Sequence, residues 1–318
     1  MIDESADTVR LMTTTSHLRI ALFSAALAVL SPFAAVSATA ATTAGSDSAV
    51  TSGVAASAKI NKLSSSLMTA LTKTATDTAW SAYPALGTGC SGANSCVFGD
   101  TSSSTNVVLF GDSHAAMWLP ALDRITAAHH ERLVVLWHGM CPVANLDVNA
   151  PTFGYPSYCN DLRASSISII HNLNPKLVLI GEKTSSVPGM RGTLTAADWL
   201  PALSSSVNAI KSATTKVAII EDTASFKQSV PQCLSQHVSS VQKCSTTWST
   251  SKPGLQSTQQ AVAKSTGSLF VQTEKWFCTK TCSPVIGNFI AYQDGTHISA
   301  SYSSYLSGVL GTALKSVL

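Results

Sequence analysis

Short apolar runs recur along the chain from residue 106 onward: Asn106–Phe110 (NVVLF), Arg132–Trp137 (RLVVLW), Lys176–Gly181 (KLVLIG), Lys216–Glu221 (KVAIIE) and Ser268–Val271 (SLFV). They are rich in Val, Ile and Leu and do not alternate with polar residues, which predicts strands buried on both faces. Between them lie stretches with helical spacing at about Ala115–His129, Tyr158–Leu173, Ala196–Ser212 and Gln256–Thr266, and a last one from about Ser299 to Leu318. Strand–helix alternation of this kind predicts an α/β domain, a parallel sheet with helices on both faces. Upstream, Ile60, Leu63, Leu67, Met68 and Leu71 recur at helical spacing and predict a short helix in an N-terminal extension, residues 59–89. Residues 41–58 are dominated by Ala, Ser, Thr and Gly and predict a flexible linker.

The first 40 residues have a different character. Arg19 precedes the apolar run Ile20–Leu30, Pro32 breaks it, and small residues follow through Ala41. This is the layout of a secretory signal peptide, with Ala38-Thr39-Ala40 or Val36-Ser37-Ala38 as the cleavage site. The rival reading, an uncleaved anchor, is disfavoured because a span needs about 20 apolar residues. Eight cysteines fit export to an oxidising compartment. They fall in sequence-local couples, Cys90 with Cys96, Cys141 with Cys159, Cys233 with Cys244 and Cys278 with Cys282, which is one choice among the 105 connectivities open to eight cysteines. No C-x-x-C couple and no histidine pair at finger spacing occurs, so neither a metal site nor a cofactor is expected. A net charge of +3 with 12% charged residues is too weakly basic for a nucleic-acid partner.

The candidate chemistry sits at two places. The first strand ends in Gly111-Asp112-Ser113-His114, the edge at which a parallel α/β sheet presents its ligands. A serine hydroxyl needs a base within hydrogen-bond reach and a group that fixes the base's tautomer. Asp294-Gly295-Thr296-His297, just before the terminal helix, supplies both on one loop. Ser113 at a helix start also brings backbone N–H groups to a developing oxyanion. Each half alone has a plain reading: Ser113 as a helix N-cap and Asp294-Gly295 as a turn. Together they predict a Ser113–His297–Asp294 triad. His114 is expected to contact substrate or a loop. Trp118 is a candidate sugar contact, as are Trp199, Trp248 and Trp276, although tryptophans are more often core.

Gly111-Asp112-Ser113-His114-Ala115 and Asp294-x-x-His297 resemble the first and last sequence blocks of the SGNH (GDSL-like) hydrolase superfamily. More closely, Cys96-Val97-Phe98-Gly99-Asp100, Met117-Trp118-Leu119-Pro120-Ala121-Leu122 and Cys141-Pro142 resemble the SGNH domain fused behind acyltransferase-3 membrane modules. The resemblance covers about 90–318. It implies a three-layer, flavodoxin-like SGNH hydrolase fold and esterase or O-acyltransferase activity, with O-acetyl transfer foremost. It also implies an acylated cell-envelope carbohydrate or glycolipid as substrate and a separate membrane acyltransferase as partner. The family also donates to the oxyanion from a Gly after the second strand and an Asn after the third. Gly139 matches the first loosely. Gly181-Glu182-Lys183-Thr184 lacks the asparagine, and Thr184 or a backbone amide near Gly181 is the expected stand-in beside Ser113.

Three other readings compete. An α/β-hydrolase is approached by Gly111-x-Ser113-x-Ala115, but that fold places strands before its nucleophile. Glu182 and Glu221-Asp222 as paired carboxylates would make a glycosidase. A degenerate SGNH domain that binds glycan or a partner protein is the non-enzyme alternative.

Overall fold

The computed structural model describes residues 43–148, 157–184, 187–190 and 192–318. The expected signal peptide and its cleavage sites lie outside the described residues. The central sheet has six strands: β1 (Val97–Gly99), β2 (Asn106–Gly111), β3 (Arg132–Trp137), β4 (Leu177–Gly181), β5 (Lys216–Ile220) and β6 (Leu269–Val271). Their order is β1-β3-β2-β4-β5-β6. β1 is antiparallel to β3, and every other pairing is parallel. Without the edge strand β1, the parallel strands run second-first-third-fourth-fifth, the flavodoxin-like order, whose switch point lies between β2 and β4.

Side chains separate by strand parity. Val107, Leu109, Leu133, Val135, Leu177 and Leu179 enter one core, and Val108, Phe110, Val134, Leu136, Val178 and Ile180 enter the other. Both sets are apolar because both faces are covered, which is why the sequence shows continuous runs.

The helices are α1 (Asp47–Ser57), α2 (Ser65–Lys73), α3 (Ala79–Ala82), α4 (Ser113–Ala116), α5 (Leu119–Ala128), α6 (Tyr158–Leu173), α7 (Ala196–Ile210), α8 (Val230–Gln236), α9 (Trp248–Ser251), α10 (Gln256–Thr266), α11 (Ala300–Tyr305) and α12 (Ser307–Leu314). Ile170 of α6, Trp199, Leu203 and Val207 of α7 and Val262 of α10 fill one core. Leu119 and Leu122 of α5, Tyr302 of α11 and Leu310 of α12 fill the other.

Three expectations need correction. The stretch 41–58, expected to be a flexible linker, carries α1: Ser46 caps it, and Val50 and Val54, one turn apart, are buried. The helix expected at Ala115–His129 is two helices. Pro120 has no N–H to extend a bond back to the preceding turn, so it is tolerated only in the first turn of a new helix, α5. The terminal helix likewise divides into α11 and α12. In the extension, Leu63 and Leu67 are buried while Met68 is exposed, and α2 starts only at Ser65, where Ser64 caps it.

The cysteines join as Cys90–Cys96, Cys141–Cys159, Cys233–Cys244 and Cys278–Cys282, the sequence-local pairing. Among the described residues no helix is long and apolar enough to cross a membrane.

Candidate active site

The ends of β2 and β4 are built from paired glycines. Gly111 and Gly181 face each other in register. A side chain at Gly111 would run into the Gly181 carbonyl oxygen, and one at Gly181 would meet Ala115 Cα at 2.9 Å. Gly111 also has a φ of +153°. These two positions let α4 start directly over the switch point. Asp112 then fastens the turn. Its Oδ1 accepts from the His114 N–H at 2.8 Å and its Oδ2 from the Lys183 N–H at 2.9 Å, which ties the α4 start to the end of β4.

Ser113, the first residue of α4, is thereby held against the 294–297 loop. His297 Nε2 lies 2.8 Å from Ser113 Oγ, and His297 Nδ1 lies 2.7 Å from Asp294 Oδ2. The other Asp294 oxygen accepts from the N–H groups of Thr296 and His297, each at 2.7 Å. Burial alone would raise the Asp294 carboxyl. The hydrogen bond and charge of His297, with those two N–H groups, outweigh it and hold the group at about 2, so it is ionised whenever the protein is near neutrality. An ionised Asp294 keeps the proton on Nδ1 and leaves Nε2 as the acceptor facing Ser113.

The expected oxyanion donors fare differently. The Ala115 and Ala116 N–H groups both bond the Asp112 carbonyl, at 3.0 and 3.1 Å, and that of His114 bonds the Asp112 carboxylate. The Ser113 N–H is therefore the candidate donor at this helix start. Gly139 lies two residues beyond β3, the neighbour of β2, in the turn where Met140 takes a positive φ of 63°. Thr184 does not match its expected role: its N–H and hydroxyl both go to Asp222 Oδ2, at 3.0 and 3.3 Å.

His114 and Trp118 also need correction as substrate contacts. Trp118 is fully buried against Trp276 and Phe277 because the bend before Pro120 turns it into the core. His114 is buried and forms a second histidine–carboxylate pair, with Nδ1 2.6 Å from Asp222 Oδ1. Its ring centroid lies 4.8 Å from that of His297. Burial lowers the His114 proton affinity, but the Asp222 charge and hydrogen bond more than reverse this, so the net direction is up. Asp222 is held low by the same partner against its own burial. The Asp222 role was missed because its partner lies far away in sequence. The only signal was a carboxylate directly after β5, beside β4.

Glu182 and Glu221, the carboxylates of the glycosidase reading beside Asp222, are each engaged by backbone N–H groups. Glu182 is buried and accepts from the N–H groups of Val143 and Ala144 at 2.9 and 3.2 Å, which fixes the loop after β3. Burial, then the neighbouring Asp112 charge, push its carboxyl up to about 8. Glu221 is fully buried and caps the Thr273–Glu274 turn. Among the described residues no group of His, Cys, Asp or Glu is arranged to hold a metal ion.

Residues 81–311 match the family described as the SGNH domain fused to AT3 domains. The periplasmic domain of a lipopolysaccharide acetyltransferase from Salmonella ser. Paratyphi A has a similar fold, with a TM-score of 0.55 at 18% identity over 73% of this chain and 88% of that chain. A GDSL-like lipase candidate from Parabacteroides merdae matches at a TM-score of 0.41 and 10% identity over 69% of this chain and 97% of that one. Among curated proteins none matches the sequence. With a flavodoxin-ordered sheet, Ser113 at the end of its first parallel strand and a family match from residue 81 to residue 311, the chain belongs to the SGNH domain family found fused to AT3 domains.

Proposed function

We propose that this chain is an ester-acting serine enzyme, an esterase or O-acyltransferase that works through an acyl-enzyme on Ser113. The observation that carries the reading is the continuous line from Asp294 Oδ2 through His297 to Ser113 Oγ, with hydrogen bonds of 2.7 and 2.8 Å. Family membership supports the same class.

In this reading His297 Nε2 takes the Ser113 proton as Oγ bonds to the acyl carbon. The carbonyl becomes an oxyanion, received by the N–H groups of Ser113 and Gly139. On collapse the bond to the leaving alcohol breaks, and His297 returns the proton to that oxygen. Water or a sugar hydroxyl then repeats the sequence on the acyl-enzyme, with His297 again as base. Asp294 stays ionised throughout and orients the imidazole.

The substrate we assign is an O-acetylated cell-envelope carbohydrate or glycolipid, met outside the cytoplasm. Support comes from the fold likeness to a lipopolysaccharide acetyltransferase domain and from the four disulfides. A separate membrane acyltransferase is the partner that fits a domain of this family, whose relatives carry AT3 modules. Hydrolysis of p-nitrophenyl acetate, with and without an acceptor sugar, tests the reading. Turnover that disappears in a folded Ser113→Ala variant is expected, and turnover that survives it would overturn the assignment.

A second reading, a non-catalytic glycan or partner binder, is favoured by one observation: Thr184 spends both donors on Asp222 and so does not stand in for the family asparagine. Glycan binding without any turnover in the parent protein would select it.

A further inference from the structure

The segment ahead of the family-matched residues is bolted to the catalytic loop. Asp77 accepts from the Ser301 N–H at 2.8 Å and from the Ser301 hydroxyl at 2.5 Å, and its carbonyl accepts from the Ala300 N–H at 3.0 Å. Ala300 and Ser301 open α11, three and four residues past His297. Thr78 then caps α3 through the Ser81 N–H. This places the indole of Trp80 edge-on to the His297 imidazole, with centroids 5.6 Å apart and ring planes at 87°. Trp80 is backed in turn by Trp137 at the end of β3, at 5.9 Å. Both tryptophans are partly buried.

A histidine held by one hydrogen bond at Nδ1 can still swing about that bond. Asp294 fixes the tautomer and one end of the ring, not its tilt. The tilt decides whether Nε2 meets Ser113 Oγ. Rings in contact with the imidazole restrict that swing, and among the described residues His114 and Trp80 touch it.

We propose that the segment before residue 81 completes the catalytic site, with Asp77 fixing the loop's far end and Trp80 acting as a positioning residue for the His297 imidazole. This rests on the triad reading above. It assigns the extension a part in catalysis rather than in tethering alone.

The test pairs kinetics with nitrogen-15 NMR of the histidine rings in the parent, Trp80→Phe and Trp80→Leu, all below their melting temperatures. Trp80→Leu is expected to lower kcat on p-nitrophenyl acetate about 10- to 100-fold, because small misplacements of a reacting group cost that much, with KM nearly unchanged. Trp80→Phe keeps a ring at the contact and should recover most of the rate. The His297 ring should show one tautomer, protonated at Nδ1, in the parent, and a second or broadened signal in Trp80→Leu. A folded Trp80→Leu protein with the parent's kcat and the parent's His297 signals would overturn the proposal. So would equal losses in the Phe and Leu variants that track lowered melting temperature, since they would leave only a packing role. A parent protein with no turnover, in which the His297 signal still responds to Trp80→Leu, would defeat the enzyme reading and leave the positioning role standing.

Discussion

Two histidine–aspartate pairs lie side by side at the carboxyl edge of the sheet, with the same chemistry in two different settings. His297–Asp294 sits on a loop, with side chains 20% and 43% exposed, and its free ring nitrogen meets a serine. His114–Asp222 is sealed between α4 and the end of β5, with side chains 3% and 2% exposed, and its free nitrogen, Nε2, has no hydrogen-bond partner among the described residues. In the exposed pair the carboxylate orients a ring whose other nitrogen can exchange a proton with Ser113. In the buried pair the carboxylate instead gathers Thr184, Thr223 and His114 into one network. A histidine–carboxylate pair alone therefore does not mark a catalytic base. The third partner and the access of substrate distinguish the two.

Replacing each aspartate by asparagine should separate the two pairs most sharply. Asp294→Asn should lower kcat about 10³- to 10⁴-fold, because the amide no longer enforces the tautomer that leaves Nε2 free, while thermal stability changes little. Steady-state kinetics and a melting curve on the same sample check both halves. Asp222→Asn should do the reverse in kind. It leaves a buried histidine without its counter-charge, and removing one partner of a buried pair costs about 3–5 kcal/mol. Chemical denaturation should read this as a lower midpoint at unchanged slope. Equal effects of the two substitutions on kcat would erase the distinction drawn here.

A smaller effect comes from pH. Glu182, raised from 4.5 to about 8 in the folded chain, takes up a proton that the unfolded chain has released between those values. Its contribution is thus fully present below about pH 4.5 and is lost as pH rises through about 8. His114, also raised, acts in the same direction above its ordinary value of 6.5. Asp222, held low, loses its contribution only as pH falls below 3.8. Stability should therefore fall by on the order of a few kcal/mol from pH 5 to 8. Glu182→Gln should flatten most of that slope, and an unchanged slope would remove Glu182 as its source.

Much of this architecture is legible in the sequence because it is local. Each parallel strand is a continuous apolar run, and Ser113, Asp294 and His297 lie in two short blocks at element ends. What the sequence hides is contact at long range. Asp222 reaches His114 across 108 positions, and adjacency to Glu221 gave it the look of a paired carboxylate instead. Thr184 stands where a donor is wanted, yet a carboxylate from the next strand takes both its hydrogens. α1 escaped because its composition is that of a linker, and only Val50 and Val54 behind the Ser46 cap betray a buried face. The tryptophans divide along the same line, most of them core as tryptophans more often are. Trp118, Trp199 and Trp276 are core, whereas Trp80, in a segment that gave no signal of chemistry, touches His297.

In the function we propose, Ser113 and no other residue is activated for attack by His297. Labelling with a fluorophosphonate followed by peptide mass spectrometry tests this directly, because the probe forms a stable adduct only on an activated hydroxyl. A single adduct is expected on the peptide containing Ser113, formed far more slowly in Asp294→Asn and at the parent's rate in Glu182→Gln. No adduct in the folded parent, or an adduct on a different serine, would contradict it.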